Sequence, residues 1–165
     1  MRRKVNVCFS ALVFIILAAC SPEMKEFENT EAMVADALSD AKSINLDDFK
    51  AVYDHKEVKR LIVDCREESE FIEGHIPGAI NVPRGMIGFS KQLTDRRIDL
   101  LVYSQTSDRA ALTYASLKKL KFTKMSILEG GWNSWTEAYP ELKEEGSGAA
   151  VADAPVEEES GGCGG

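Results

Sequence analysis

Between residues 60 and 138, short apolar runs alternate with segments whose apolar residues recur at helical spacing, and this alternation restricts the fold. The predicted strands are "RLIVDC" (60–65), "AINVP" (79–83), "DLLVY" (99–103) and "KMSILEG" (124–130). The predicted helices between and after them cover residues 67–74, 86–93, 109–120 and 131–138. Because strands that alternate with helices form parallel sheets covered on both faces, we expect an α/β domain.

The segments on either side of this region have different characters. Upstream, "TEAMVADALSDAKS" (30–43) and "INLDDFKAVYDH" (44–55) are predicted helices, with Thr30 and Asn45 as their caps. Downstream, residues 143–165 are acidic and rich in glycine, without periodicity or aromatic residues. Such a composition cannot bury enough apolar surface to fold, so this tail is expected to be disordered.

The first twenty residues have the pattern of an export signal. A basic start, "MRRK", precedes the apolar run "VNVCFSALVFIILAA", which is short for a membrane span. "LAAC" resembles the lipobox of bacterial lipoproteins, in which the cysteine, here Cys20, is lipidated after residues 1–19 are removed. Ser21 after it resembles outer-membrane sorting in Gram-negative hosts. This predicts a lipid-anchored, extracytoplasmic protein of the bacterial envelope with the membrane as a partner; the alternative is an ordinary signal peptide with a chance cysteine.

Composition excludes several other classes of function. The formal charge is −7 and becomes −10 once residues 1–19 are removed, so nucleic acid is not an expected partner. Of the four cysteines, Cys8 lies in the signal and Cys20 would carry lipid, which leaves Cys65 and Cys163 as free thiols. Two thiols make neither a disulfide framework nor a zinc site, and we expect no metal or cofactor.

A polar loop follows the apolar strand 99–103, at the edge of a parallel sheet where ligands bind. It comprises Ser104, Gln105, Thr106, Ser107, Asp108 and Arg109. The backbone N–H groups of such a loop, with the start of the next helix, form an anion-binding site. The alternative is a plain connection in which Ser107 or Asp108 caps the helix.

Two motifs around this loop resemble the signatures of the rhodanese family. The first lies in "LIVDCREESEFIEGHIPGAINVP" and comprises Asp64, Arg66, Glu67, Glu70, Phe71, Gly74, His75, Ile76, Pro77, Gly78 and Ala79. The second lies in "LEGGWNSWTEAYP" and comprises Gly130, Gly131, Trp132 and Trp135. The resemblance covers residues 41–142 and implies a single rhodanese-like domain, with a five-stranded, mainly parallel sheet and helices on both faces. Residues 20–40 would then form a tether and a short helix.

Most of these motif residues are structural in the family. His75 is therefore interpreted as part of a tight turn, and the tryptophans as core residues. In active rhodaneses the strand before the loop ends in Val-Tyr-Cys, and that cysteine carries sulfur as a persulfide. Here Val102 and Tyr103 are followed by Ser104, while the loop length and Arg109 match. The loop is one residue shorter than the related phosphatase-type loop, which argues against phosphate-ester chemistry.

Serine at this position cannot perform the family's reaction. A persulfide needs a sulfur–sulfur bond, and an alcohol, with a pKa near that of water at about 15.7, does not ionise as a thiol of pKa about 8.5 does. Serine nucleophiles normally rely on a general base, and neither His55 nor His75 belongs to a recognisable triad.

The two free thiols suggest alternatives to an inactive site. Cys65 is interpreted as a buried core thiol. Cys163 lies about twenty residues beyond the domain, and a flexible coil of that length spans roughly 25 Å, enough to visit the loop. We therefore expect a membrane-anchored module that binds an unknown protein or a small sulfur or anionic ligand, without sulfurtransferase activity. The alternatives are sulfur transfer through Cys163 or a partner's thiol, and a purely structural envelope tether.

Overall fold

The computed structural model describes residues 26–54 and 60–146. Its five strands are β1 (Ser43–Ile44), β2 (Arg60–Asp64), β3 (Ile80–Asn81), β4 (Asp99–Tyr103) and β5 (Met125–Leu128). Its five helices are α1 (Thr30–Asp40), α2 (Leu46–Asp54), α3 (Glu68–Glu73), α4 (Ser107–Lys119) and α5 (Gly131–Ala138), and a 3₁₀ turn covers Arg84–Met86. The predicted α/β domain is confirmed.

The strands form one sheet in the order β1-β5-β4-β2-β3, and all four pairings are parallel. The expectation of five strands is therefore confirmed, and the sheet is wholly parallel where a mainly parallel one was expected. The edge strand β1 falls where two helices were predicted to meet. It is only two residues long, and Ser43 and Ile44 pair with Ile127 and Leu128 of β5. A strand this short has no periodicity of its own, so sequence patterns do not reveal it.

Each face of the sheet carries its own apolar core. On one face, α1 and α4 cover Val63, Leu100 and Val102, which are fully buried. On the other face, α2, α3 and α5 cover Leu101, Tyr103 and Leu128, with Trp135 at the centre. Helices on both faces explain why β4 is apolar after Asp99, since both sets of its side chains from Leu100 to Tyr103 are removed from water.

The capping residues and apolar periodicity of the sequence predicted some helix ends correctly and others incorrectly. Asn45 caps α2 as predicted, because its side-chain oxygen accepts a hydrogen bond from the N–H of Asp48 (2.8 Å). α1 is capped by Asn29 and not by Thr30, through a hydrogen bond from the N–H of Ala32 (2.8 Å). The helix predicted over 86–93 is wrong: the segment holds the end of a 3₁₀ turn and further turns, and Gly88 lowers its helix propensity.

The folded part of the chain extends beyond the expected boundaries at 41 and 142. α1 packs on α4 and contributes Ala37 to the core. At the other end, Glu144 forms an antiparallel bridge with His75, and the Gly146 N–H donates to the carbonyl of Ile72 (2.9 Å). We call residues 143–146 the strap. Within residues 26–54 and 60–146, no helix is both long enough and apolar enough to span a bilayer.

Candidate functional site

Strand β4 carries the candidate loop to the carboxyl-terminal edge of the sheet. Its last residue, Tyr103, is buried, and its hydroxyl accepts a hydrogen bond from the N–H of Ile76 (3.1 Å). Ser104 follows directly and is fully buried. Its hydroxyl has no hydrogen-bond partner of good geometry among the described residues. Apart from its contact with the Cys65 thiol, this buried hydroxyl is an incompletely satisfied polar group, of the kind that a ligand can satisfy.

The backbone of the loop is held by the start of α5. The carbonyl of Ser104 accepts from the N–H of Trp132 (2.8 Å), and that of Gln105 accepts from the N–H of Asn133 (3.2 Å). In a trans peptide the N–H points opposite to the C=O, and no peptide of the described chain is cis. The N–H groups of Gln105 and Thr106 therefore point away from α5. We call this loop, residues 104–109, the cradle.

The amides of the cradle have no acceptor within the described structure. Neither Gln105 nor Thr106 donates a backbone hydrogen bond there, and Thr106, the N-cap of α4, offers no side-chain cap. Ser107 does not cap the helix, since its hydroxyl accepts from the N–H of Gly130 (2.9 Å). Asp108 does not cap it either. Free amides beside the N-terminus of a thirteen-residue helix are an arrangement that favours an anion, and anion binding by this loop stays a prediction.

Gly131 makes the contact between α5 and the cradle possible. A Cβ atom at this position would lie 2.3 Å from the carbonyl oxygen of Ser104, and the residue has φ +60°. Gly130 before it has φ +70°. Only glycine accepts this backbone conformation and this close approach without strain. The glycine pair of the second motif is thus the sequence signal for the part of the site that holds the loop.

The charge of Arg109 is shared with α3. Its guanidinium donates to the Glu70 carboxylate (3.0 Å), and both side chains are partly exposed. Partial burial opposes ionisation of Glu70, but the hydrogen bond from the Glu67 N–H and the ion pair with Arg109 outweigh it and lower its pKa. Arg109 therefore ties the cradle to α3 and is not a free cation aimed at a ligand. The role of Glu70 as this partner was not predicted.

Arg66 and Asp64 form a buried ion pair beside the cradle. The two side chains are 2% and 0% exposed, with Nη2 of Arg66 at 2.6 Å from the carboxylate. The same Nη2 also donates to the carbonyl of Gly74 (2.6 Å), and the guanidinium lies over the ring of Trp132, 4.8 Å from its centroid. Because its charge is balanced, Arg66 fixes the turn after β2 and leaves no net positive charge for a ligand.

A cleft of about 500 Å³ opens next to these residues. Its walls carry both signs of charge, since Arg66, Lys143, Glu70 and Glu73 all line it, and the ring of Trp132 supplies an apolar surface. Gln105 is the cradle residue that lines this cleft. Ser104 is fully buried and is not part of the lining. The cleft gives a ligand access to the outer side of the cradle. Lys143 comes from the strap, which the sequence placed outside the domain.

Cys65 lies beside Ser104, because the pairing of Asp64 with Tyr103 continues one residue further. The N–H of Cys65 donates to the carbonyl of Tyr103 (2.9 Å). Its thiol is fully buried in the apolar core. Burial raises its pKa to about 11, although the hydroxyls of Thr113 and Ser104 and the charge of Arg109 oppose the rise. At neutral pH it is a thiol and not the nucleophilic thiolate.

His75 has a structural environment, as predicted. Its ring stacks on Phe71 with centroids 3.6 Å apart, and Nδ1 lies 2.9 Å from the Phe71 carbonyl oxygen. It precedes a turn in which the N–H of Ala79 donates to Ile76 (3.0 Å) and Gly78 has φ +79°. The remaining candidates, Cys20, His55 and Cys163, lie outside the described residues. Within the described part, no three His, Cys, Asp or Glu side chains group as a metal site would require.

Comparison with known proteins identifies the family of this domain. A profile described as "Rhodanese-like domain" matches residues 45–138. The chain belongs to the rhodanese-like domain family. YqhL of Bacillus subtilis, an uncharacterized protein, is 31% identical over 94 residues, which are 57% of this chain and 71% of YqhL. The putative sulfur carrier protein YrkF of the same organism is 26% identical over 98 residues, and the match spans 59% of this chain and about half of YrkF (52%).

Solved structures agree with this rhodanese-like fold. A Rhodopseudomonas palustris protein of unknown function, described as a possible tyrosine phosphatase, superposes with a TM-score of 0.63 at 23% identity. That match covers 70% of this chain and 94% of the other. A thiosulfate sulfurtransferase from Pseudomonas aeruginosa gives 0.61 at 22% identity over 72% of this chain, but only 23% of its own. At these identities the likeness establishes the fold alone.

Proposed function

We propose that this protein is a membrane-anchored rhodanese-like module that lacks intrinsic sulfurtransferase activity and binds a small anionic or sulfur-containing ligand at the cradle. The observation that carries the proposal is Ser104. It follows β4 at the start of the loop, where the resemblance to active rhodaneses puts the sulfur-carrying cysteine. Around it, the amides of Gln105 and Thr106 and the start of α4 are free to bind negative charge.

The chemistry at Ser104 supports binding and argues against sulfur transfer. An alcohol oxygen forms no stable counterpart of a persulfide, and the anion site cannot bring its pKa into a useful range. A serine nucleophile needs a general base, yet the hydroxyl has no hydrogen-bond partner of good geometry among the described residues. His75 does not supply this base, since its ring stacks on Phe71 and its Nδ1 lies against the Phe71 carbonyl oxygen.

Sulfur transfer through another thiol is the second candidate function. Cys65 is the thiol beside the cradle, but its burial and a pKa of about 11 disfavour attack on a sulfur donor at neutral pH. Cys163, or a partner's thiol, remains as the alternative carrier. The similarity to the putative sulfur carrier protein YrkF supports this second candidate function.

The proposed location is the bacterial cell envelope, outside the cytoplasm, with lipid on Cys20. The support for it is the basic start, the apolar run and the lipobox-like "LAAC" at residues 17–20. More than one acyl chain is needed for stable anchoring, and lipoprotein processing supplies that. If the host is Gram-negative, Ser21 favours the outer membrane. A net charge of −7 disfavours nucleic acid as a partner.

The substitution Ser104→Cys tests the proposal. The parent chain should show no thiosulfate:cyanide sulfurtransferase activity, and S104C should gain it, because only the nucleophilic atom is missing from an intact cradle. Since Cys65 lies beside position 104, an internal disulfide could mask the gain. The double variant S104C/C65S is therefore the matched partner of S104C, and S104A is the negative control.

Two results would contradict the proposal. Turnover by the parent that survives both Cys65→Ser and Cys163→Ser would show that Ser104 does not prevent the reaction. Turnover that disappears on deleting residues 147–165, with added sulfur found on Cys163 by mass spectrometry, would establish the alternative carrier.

A further inference from the structure

The segment Arg84–Lys91, which we call the rim loop, exposes large apolar side chains. Phe89 is 80% exposed and Met86 is 54% exposed, while Ile87 between them is buried and anchors the loop to the core. Arg84 and Lys91 are exposed as well, and neither forms an ion pair with any described residue. An exposed aromatic residue flanked by unpaired cations is typical of surfaces that contact lipid.

The rim loop leaves the sheet at the same edge as the cradle. It follows β3, which is parallel to β2, and the N–H of Arg84 donates to the carbonyl of Cys65 just beyond the end of β2 (3.2 Å). Ser104 follows β4, the strand on the other side of β2. The carboxyl ends of these three parallel strands share one edge, which we call the cradle edge.

The chain also enters the domain at the cradle edge. α1 packs on α4, and the ion pair between Asp40 and Lys118 (2.6 Å) joins the last residues of the two helices. The helices therefore run in the same direction, and α1 begins beside the start of α4 at the cradle. Eight residues lie between Cys20 and Asn29, so the domain can lie at most about 30 Å from a lipid on Cys20.

We propose that the rim loop is a second membrane contact, in which Phe89 and Met86 enter the bilayer interface while Arg84 and Lys91 meet lipid phosphates. The proposal rests on the proposed lipid anchor, which would hold this edge near the membrane. Combining an anchor with a weaker interfacial contact is a common route to stable and oriented membrane binding. The cradle then lies at the boundary between lipid and water.

Other charges on the cradle edge set the orientation. Glu67, Glu68 and Asp108 are exposed there and are repelled by anionic headgroups. The rim loop is thus the apolar part of this edge, and its exposed charges are all positive. We expect the domain to tilt so that the rim loop approaches the bilayer and the carboxylates remain in water.

The test places a tryptophan reporter in the rim loop of the full chain. The chain is purified from bacterial membranes and reconstituted in vesicles of phosphatidylglycerol and phosphatidylcholine that contain brominated acyl chains. We expect Phe89→Trp to show a blue-shifted emission and a loss of intensity from bromine quenching. The matched control is Arg97→Trp, because Arg97 is exposed and precedes the amino-terminal end of β4, at the opposite edge. Equal quenching of the two variants would overturn the proposal.

Two further measurements distinguish the lipid contact of the rim loop from dimerisation through the same loop, and test it independently of the lipid on Cys20. If sedimentation velocity shows a dimer that Phe89→Ser dissociates, the rim loop binds a second copy and the lipid contact is refuted. If mass spectrometry finds no lipid on Cys20, the proposed lipid anchor is refuted, but the rim contact is not. Co-sedimentation of that unlipidated chain with the same vesicles, lost in Phe89→Ser, would still support the rim contact, and its absence would refute it. Unchanged circular dichroism verifies folding of each variant.

Discussion

At the scale of single residues, two neighbouring positions decide what the cradle edge can do. Ser104 supplies an oxygen at the start of the cradle, and Cys65 supplies a sulfur in the adjacent core position. The sequence singled out both residues, and the proposal that the nucleophilic atom is missing at Ser104 rests on it. That the thiol lies beside Ser104 could not, since it depends on the parallel register of β2 with β4.

The buried thiol makes stability depend on alkaline pH. Its pKa is about 11 in the fold against an ordinary 9.0, so above pH 9 the unfolded chain loses this proton first. Stability is therefore complete below pH 9 and falls as pH rises towards 11, by roughly 2 to 3 kcal/mol from this group. Urea denaturation between pH 8 and 11 should show a shallower fall for Cys65→Ala than for the parent. Parallel curves for the two proteins would contradict the assigned pKa.

At the scale of elements, the cradle depends on α5, which is distant in sequence. The first turn of this helix binds the carbonyls of Ser104 and Gln105 and thereby turns the next amides outward. The glycine pair before Trp132 was recognisable as part of a family motif. Its physical task, a close approach of two backbones, becomes evident only when α5 and the loop are seen together.

Replacing Gly131 by alanine should disturb both stability and the cradle. The positive φ and a Cβ atom 2.3 Å from the Ser104 carbonyl oxygen should cost about 2–4 kcal/mol of unfolding free energy. The matched control is Gly85→Ala, where no atom lies within 4 Å of the added Cβ, and the expected change is within about 0.5 kcal/mol. Urea denaturation measures both values. In the S104C background, G131A should also abolish the gained activity; equal effects of the two glycine variants would refute this account.

At the scale of the whole molecule, the strap closes one side of the domain. Its backbone pairs with His75 in both directions (2.9 Å each), and the Glu144 carboxylate accepts from the N–H of Gly78 (3.1 Å). Lys143 contributes to the wall of the cleft. The acidic, glycine-rich composition predicted a tail from residue 143, but these contacts hold the chain to the domain through Gly146.

Shortening the chain at two places tests the strap. A chain that ends at Leu142 loses the two hydrogen bonds with His75, the one to Gly78 and the one from Gly146 to Ile72. At about 1 kcal/mol each, less what water restores, the unfolding free energy should fall by about 2–4 kcal/mol. A chain that ends at Gly146 keeps all four and should match the parent. Thermal or urea denaturation compares them, and similar losses in both chains would count against a role for the strap.

The sequence by itself determined the fold class and the order of most elements, and the proposal that Ser104 replaces a sulfur-carrying cysteine rests on it. These are properties of neighbouring residues: apolar periodicity, turn glycines such as Gly78, and the residue type at one position of a known loop. The tertiary structure alone decided that β1 pairs with β5 and that the first turn of α5 binds the carbonyls of the cradle. It also decided that Arg109 pairs with Glu70 and that the rim loop and the start of α1 lie at the same edge of the sheet. Each of these joins segments that are far apart in the chain. Their contacts form only when the sheet assembles, and no local pattern encodes them.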